Sequence, residues 1–153
     1  MSAYNLLYYV SGGFANGTSG EPQFNSPGAD SGNCGGLNNT AGGGGGGALQ
    51  TGSSAFCPPS TIPNGANGGE GLTYNFDGTP SVYGSGGGGG SAANPFAQGG
   101  VGGTNAGNGA KYNDNATNAI NGFGGGGGGD RAGNPNVGAR GGNGVLIIRY
   151  QLP

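Results

Sequence analysis

The chain has 153 residues, 44 of them glycine and nine proline, with four basic and six acidic side chains, a net charge of −2 and no histidine. That much glycine and proline without a strict three-residue period is the composition of a low-complexity polymer, yet charge is scarce and seven Tyr and six Phe are spread along the length, where a solvating linker is poor in aromatics. Four scattered cations (Lys111, Arg131, Arg140, Arg149) exclude nucleic-acid binding by phosphate neutralisation, and no apolar run approaches the roughly 20 residues of a membrane span, so neither nucleic acid nor membrane insertion is expected.

In chain order, "YNLLYYV" at 4–10 is aromatic and apolar and ends at "SGG", which predicts a short strand closed by a turn. The N-terminus lacks the positive region of a secretory signal, so synthesis in a cytoplasm is expected. Cys34 and Cys57 are the only cysteines, and without an export signal the thiol form is favoured. Three glycine runs follow, at 42–47, 86–90 and 124–129. The second and third each reach an Asn-Pro turn signal, Asn94-Pro95 and Asn134-Pro135. The segments between runs, such as "LTYNFDGTPSVY" and "AKYNDNATNAINGF", hold most of the Asn, Thr, Phe and Tyr and read as loops. No window carries apolar residues at helical spacing, so helix content is expected to be near zero. "GVLIIRYQ" at 144–151 predicts a closing strand.

Ordering glycine costs about 1–2 kcal/mol per residue in backbone entropy, at the expensive end of the range, and no side chain offsets it. The compensation has to come from backbone hydrogen bonds to neighbouring chain and from the close approach that a bare backbone allows. An extended left-handed helix of the polyproline II type, with three residues per turn and no internal hydrogen bonds, directs every donor and acceptor outwards. Bundled rods of this kind would form a lattice without a hydrophobic core. The other reading of the same residues is three flexible glycine linkers.

Glycine runs separated by variable Asn- and aromatic-bearing segments resemble the receptor-binding adhesins at the tips of long tail fibres in T-even-like bacteriophages. The end of the chain, "GGNGVLIIRYQLP" at 141–153, is similar to the closing motif of a wider group of glycine-rich phage tail and fibre domains. The resemblance implies an irregular, helix-free fold: a polyglycine II helix bundle with short terminal β-strands and long variable loops. It implies one glycine-rich domain over 1–153, with an N-terminal strand and candidate attachment region in 1–40, rods and loops in 41–143, and a C-terminal strand in 144–153. "GGLNN", "NGGEG", "GGVGG" and "ARGGNG" would then serve as partial rods. Scaffold positions are Gly42, Gly45, Gly87, Gly90, Gly125 and Gly128, and assembly positions are Tyr8, Tyr9, Val145 and Ile147.

The implied function is a phage virion protein, a receptor-binding adhesin at a tail-fibre tip. Its partners would be a host surface receptor, either an outer-membrane protein or a glycan, and other virion fibre proteins. Phe56, Tyr74, Phe76, Tyr83, Phe96, Tyr112 and Phe123 would supply contact area beside adaptable Asn, Ser and Gly, and for each the competing role is packing across a glycine rod. The alternative is a structural virion protein, a head fibre, decoration protein or fibre adaptor, without receptor binding. A small ice-binding protein is a third class, but those carry a Gly-X-X period that this chain lacks. No enzyme is expected: there is no His for base catalysis and no nucleophile-elbow Ser. No cofactor is called for, and a site of N and S metal ligands is not expected.

Overall fold

The computed structural model describes residues 32–33, 40–55, 62–75, 78–131 and 138–147. Among them there is no helix. Four short strands, β1 (Gly32–Asn33), β2 (Thr40–Ala41), β3 (Leu72–Tyr74) and β4 (Ser81–Tyr83), form two antiparallel pairs, β1 with β2 and β3 with β4. In the second pair Leu72 stands opposite Tyr83 and Tyr74 opposite Ser81. The turn between them includes Gly78, whose φ of 97° a side chain would resist.

The remainder is extended chain lying side by side, and the hydrogen bonds between segments recur every third residue. The amides of Gly42, Gly45 and Ala48 donate to the carbonyls of Gly90, Gly87 and Gly84, so 42–48 runs antiparallel to 84–92. Gly86, Gly89 and Ala92 donate to Gly69, Ala66 and Pro63, and Gly100 and Gly103 donate to Gly89 and Gly86, which sets two more antiparallel neighbours. Two parallel neighbours complete the layer: Gly88 and Ser91 donate to Gly107 and Ala110, and Gly126 and Gly129 donate to Ser85 and Gly88. Segment 84–92 is thus the centre of five others, and every carbonyl from Gly84 to Gly90 accepts a bond. A β-ladder addresses two neighbours in one plane; the three-residue step lets one segment address neighbours on all sides.

Such close approach needs missing side chains. A Cβ on Gly87 would run into the Gly127 carbonyl, one on Gly90 into Asp130, and one on Gly128 into Asn108. At Gly125 it would stand 2.8 Å from the Asn105 oxygen, whereas Gly42 and Gly45 leave 3.1 and 3.3 Å to the Gly90 and Gly87 nitrogens. Most side chains admitted inside are small: Ala41, Ala66, Ala92, Ala97, Ala110, Ser85 and Ser91 are buried, with Pro63 and Tyr83 the larger exceptions. Leu49, Val101, Ile120 and Leu146 are exposed instead, which inverts the usual sorting of residues.

Asparagine takes a framework role that its reading as a loop former did not anticipate. Asn64 Oδ1 accepts from the Gln98 amide at 2.8 Å, Asn67 Oδ1 from Val101 at 2.9 Å, and the Glu70 carboxylate from Thr104 at 3.1 Å. Asn118 and Asn121 repeat the device on the amides of Arg140 and Asn143. Each acceptor is three residues from the next, so a row of carboxamides faces a row of amides on the parallel neighbour, which also receives Gly65 and Gly68 at the carbonyls of Gln98 and Val101.

Two expectations change. The stretch read as a loop at 110–123 is framework over 117–120, where Thr117 and Ile120 donate to Asn108 and Asn105 and the Thr117 carbonyl accepts from Gly128. Residues 144–147 of the expected closing strand lie in no strand, because the lateral bonds of this stretch end at Gly142 and Asn143, which are engaged with Gly125, Gly122 and Gly124. Residues 148–153, the strand expected at 4–10 with Tyr8 and Tyr9, "GGLNN" at 35–39 and both cysteines lie outside the described residues.

Candidate binding surface

The hydrogen-bond register sorts the connecting turns onto two ends of the bundle. Pro63, Ala92 and Ala110 share one end, since Ala92 donates to Pro63 and its neighbour Ser91 donates to Ala110. Ala110 in turn donates to Gly129, which leads to Asp130 and Arg131. The turns at 93–97 and 111–114 therefore lie at the same end as Arg131. At the opposite end lie the β3–β4 hairpin and the turn at 121–124, joined by the bond from the Gly84 amide to the Phe123 carbonyl at 2.8 Å.

Phe96 is placed by its local sequence. The Ala97 amide donates to the Asn94 carbonyl at 3.0 Å and the Phe96 amide to Asn94 Oδ1 at 2.9 Å. Proline at 95 suits the second position of such a turn, and an Asx bond from the first residue stiffens it. Phe96 is left at the third position with 77% of its surface exposed. In the neighbouring turn Asp114 donates to the Lys111 carbonyl, Asn113 adopts a φ of 60°, and Lys111 Nζ stands 3.5 Å from Asp114 Oδ2. Tyr112 is 36% exposed, with the Arg131 guanidinium 5.3 Å from its ring centre. This end offers two aromatic rings, a stacked cation and mixed charge on turns held by their own hydrogen bonds, a surface suited to contact.

The other aromatic candidates are arranged differently. Tyr83 is buried, its ring centre 5.5 Å from that of Phe123 and 6.4 Å from that of Tyr74. Asn105, held at a φ of 66°, caps this cluster with a bond from Nδ2 to the Val82 carbonyl at 2.9 Å. Ser85, fully buried, accepts from the Gly71 amide at 3.0 Å. The structure thus brings Phe96 and Tyr112 to one end and Tyr74, Tyr83 and Phe123 together at the other. Phe56 and Phe76 lie outside the described residues. Val145 and Ile147 are half-buried. Arg131 was not singled out from the sequence, because its neighbour in space is 19 positions away; Asn64, Asn67, Asn118 and Asn121 carried a signal, the Asn-x-x-Asn spacing, that only a threefold chain makes meaningful. Among the described residues no group of three or more His, Cys, Asp or Glu could hold a metal ion, and no helix is long and apolar enough to cross a membrane.

Described residues that hold no helix, an interior mostly of glycine, alanine and serine, and large side chains that, Tyr83 and Pro63 apart, stand on turns and outer faces define a class of glycine-packed proteins. The chain belongs to the glycine-rich domain family, whose model matches residues 4–151. No curated protein and no solved structure matches the chain.

Proposed function

We propose that the chain is a bacteriophage virion protein, an adhesin at a tail-fibre tip, made in the host cytoplasm and carried on the outside of the particle. Its scaffold is read as a polyglycine II bundle: lateral bonds every third residue match a chain with three residues per turn. The observation that carries the functional reading is Phe96, a large apolar ring standing 77% exposed on a stiff turn at the same end of the bundle as Tyr112 and Arg131. Large side chains displayed by a rigid backbone lose little freedom on binding, which favours recognition of an outer-membrane protein or surface glycan. The purified protein should bind intact cells of a bacterium that the parent phage infects, and Phe96→Ala with Tyr112→Ala should abolish that binding. No binding to any such host would overturn the reading.

A second reading, a structural virion protein such as a head fibre, decoration protein or fibre adaptor, draws on Val101 and Ile120, which are apolar and exposed on framework segments rather than turns. Such residues suit lateral packing against other virion fibre proteins. Position in the particle separates the two: a fibre-tip location favours the adhesin, a capsid or tail-tube location the structural role.

A further inference from the structure

Five Asn-Gly dipeptides lie within the described residues: Asn64-Gly65, Asn67-Gly68, Asn108-Gly109, Asn121-Gly122 and Asn143-Gly144. Asn-Gly is chemically fragile because glycine has no side chain to hinder its own amide nitrogen. That nitrogen attacks Cγ of the asparagine side chain, the new C–N bond closes a five-membered succinimide, and ammonia leaves with the displaced proton. Water then opens the ring at either carbonyl, giving aspartate or isoaspartate. The carboxamide has to be free to turn Cγ towards the nitrogen, and the N–H has to be available for deprotonation.

In four of the five dipeptides both partners are held. Gly65 donates to Gln98 while Asn64 Oδ1 accepts from Gln98; Gly68 donates to Val101 while Asn67 Oδ1 accepts from Val101. Gly109 donates to Gly100 while Asn108 Oδ1 accepts from Gly102; Gly122 donates to Asn143 while Asn121 Oδ1 accepts from the Asn143 amide. The fifth is different. Asn143 and Gly144 are both exposed, and among the described residues neither the Asn143 carboxamide nor the Gly144 amide has a hydrogen-bond partner. The peptide plane that carries the Gly144 nitrogen is held from its carbonyl side, since the Asn143 carbonyl accepts from Gly122 at 2.8 Å and from Gly124 at 3.0 Å, so it is the carboxamide that has to turn.

We propose that Asn143 is a site of spontaneous covalent modification in the folded protein, converting to aspartate and isoaspartate through a succinimide with Gly144, while the lattice shields Asn64, Asn67, Asn108 and Asn121. Either product adds a negative charge. Isoaspartate also inserts a methylene into the main chain and redirects it from Gly144 onward, past the point where the lattice grips it.

The test is peptide mapping by mass spectrometry of the full chain held in mildly alkaline buffer, folded and in denaturant, with the products distinguished by electron-transfer fragmentation. In denaturant all five asparagines should convert. In the folded protein Asn143 should convert at least about tenfold faster than the other four, each of which needs local opening first. Gly144→Ala should suppress the product at Asn143 and leave the melting temperature unchanged. Equal slowness of all five in the folded state, equal speed of all five, or a rate at Asn143 that Gly144→Ala does not lower would each overturn the assignment.

Discussion

Replacing Gly89 by alanine tests whether backbone contact carries the stability of the bundle. A Cβ there would run into the carbonyl of Gly42, and neither partner is a flexible side chain that could swing away. Relief requires moving 42–48 off the central segment, which gives up the bonds Gly42 to Gly90, Gly45 to Gly87 and Ala48 to Gly84, together with Ala66 to Gly42, all between 2.8 and 3.0 Å. At a net contribution of about 1 kcal/mol each these sum to about 4 kcal/mol. The reduced freedom of the unfolded chain offsets about 0.4–1 kcal/mol of that. The expected loss of about 3 kcal/mol lowers the melting temperature by roughly 6–12 °C for a chain of this size. The control is Gly138→Ala, at an exposed position where a Cβ would lie 3.4 Å from its nearest neighbour, the Gly128 oxygen; it should melt at or slightly above the parent temperature. Scanning calorimetry of the parent and both variants decides the matter. If Gly89→Ala melts with Gly138→Ala, backbone apposition is not what holds these segments together.

Ser85→Ala leaves the Gly71 amide without its acceptor in a fully buried place and should cost about 1–3 kcal/mol by chemical denaturation. Asn67→Ala removes an exposed acceptor for the Val101 amide and should cost about 0.5–1.5 kcal/mol, while Asn67→Asp keeps the oxygen and should restore most of it. Tyr83→Ala empties the buried aromatic cluster and should cost about 3–5 kcal/mol in the same measurement. Phe96→Ala should change stability by no more than about 0.5 kcal/mol, yet weaken binding to host cells by about tenfold or more, worth about 1.4 kcal/mol. A loss of stability without a loss of binding would place Phe96 in the scaffold.

What could be read from the sequence was what glycine excludes. Runs at 42–47, 86–90 and 124–129 cannot build a core from side chains, and the absence of helical spacing extends to a helix-free structure among the described residues. "NGGEG", "GGVGG" and "ARGGNG", which contain Gly68, Gly103 and Gly142, do join the lateral network, as the Gly68 to Val101, Gly103 to Gly86 and Gly142 to Gly125 bonds show. Asn94-Pro95 was legible as a turn for a local reason: the Asx bond and the proline ring act within four residues. The roles of Asn64, Asn67, Asn118 and Asn121 were not, because searches for chain pattern ask about periods of 2 and 3.6, and these residues repeat at three. Nor could Tyr83 be told from Phe96 in advance. Both are aromatic residues a few positions from a glycine run, and only the register of distant segments puts one against Phe123 and the other into solvent.

That register also separates framework from display. In 93–97 the bonds that shape the turn close within it, Ala97 to Asn94 and Phe96 to Asn94 Oδ1, and in 111–114 Asp114 bonds back to Lys111. The framework bonds begin on either side, at Ala92 and at Gln98, whose amides are held by Pro63 and Asn64. A change of side chain at Phe96 or Tyr112 consequently alters the surface without removing a lateral bond, whereas a change at Gly89 or Ser85 removes several or leaves one unmet. A protein built this way can vary what it presents at its turns at almost no cost to the bundle beneath, and that separation is the physical ground on which the proposed recognition role rests.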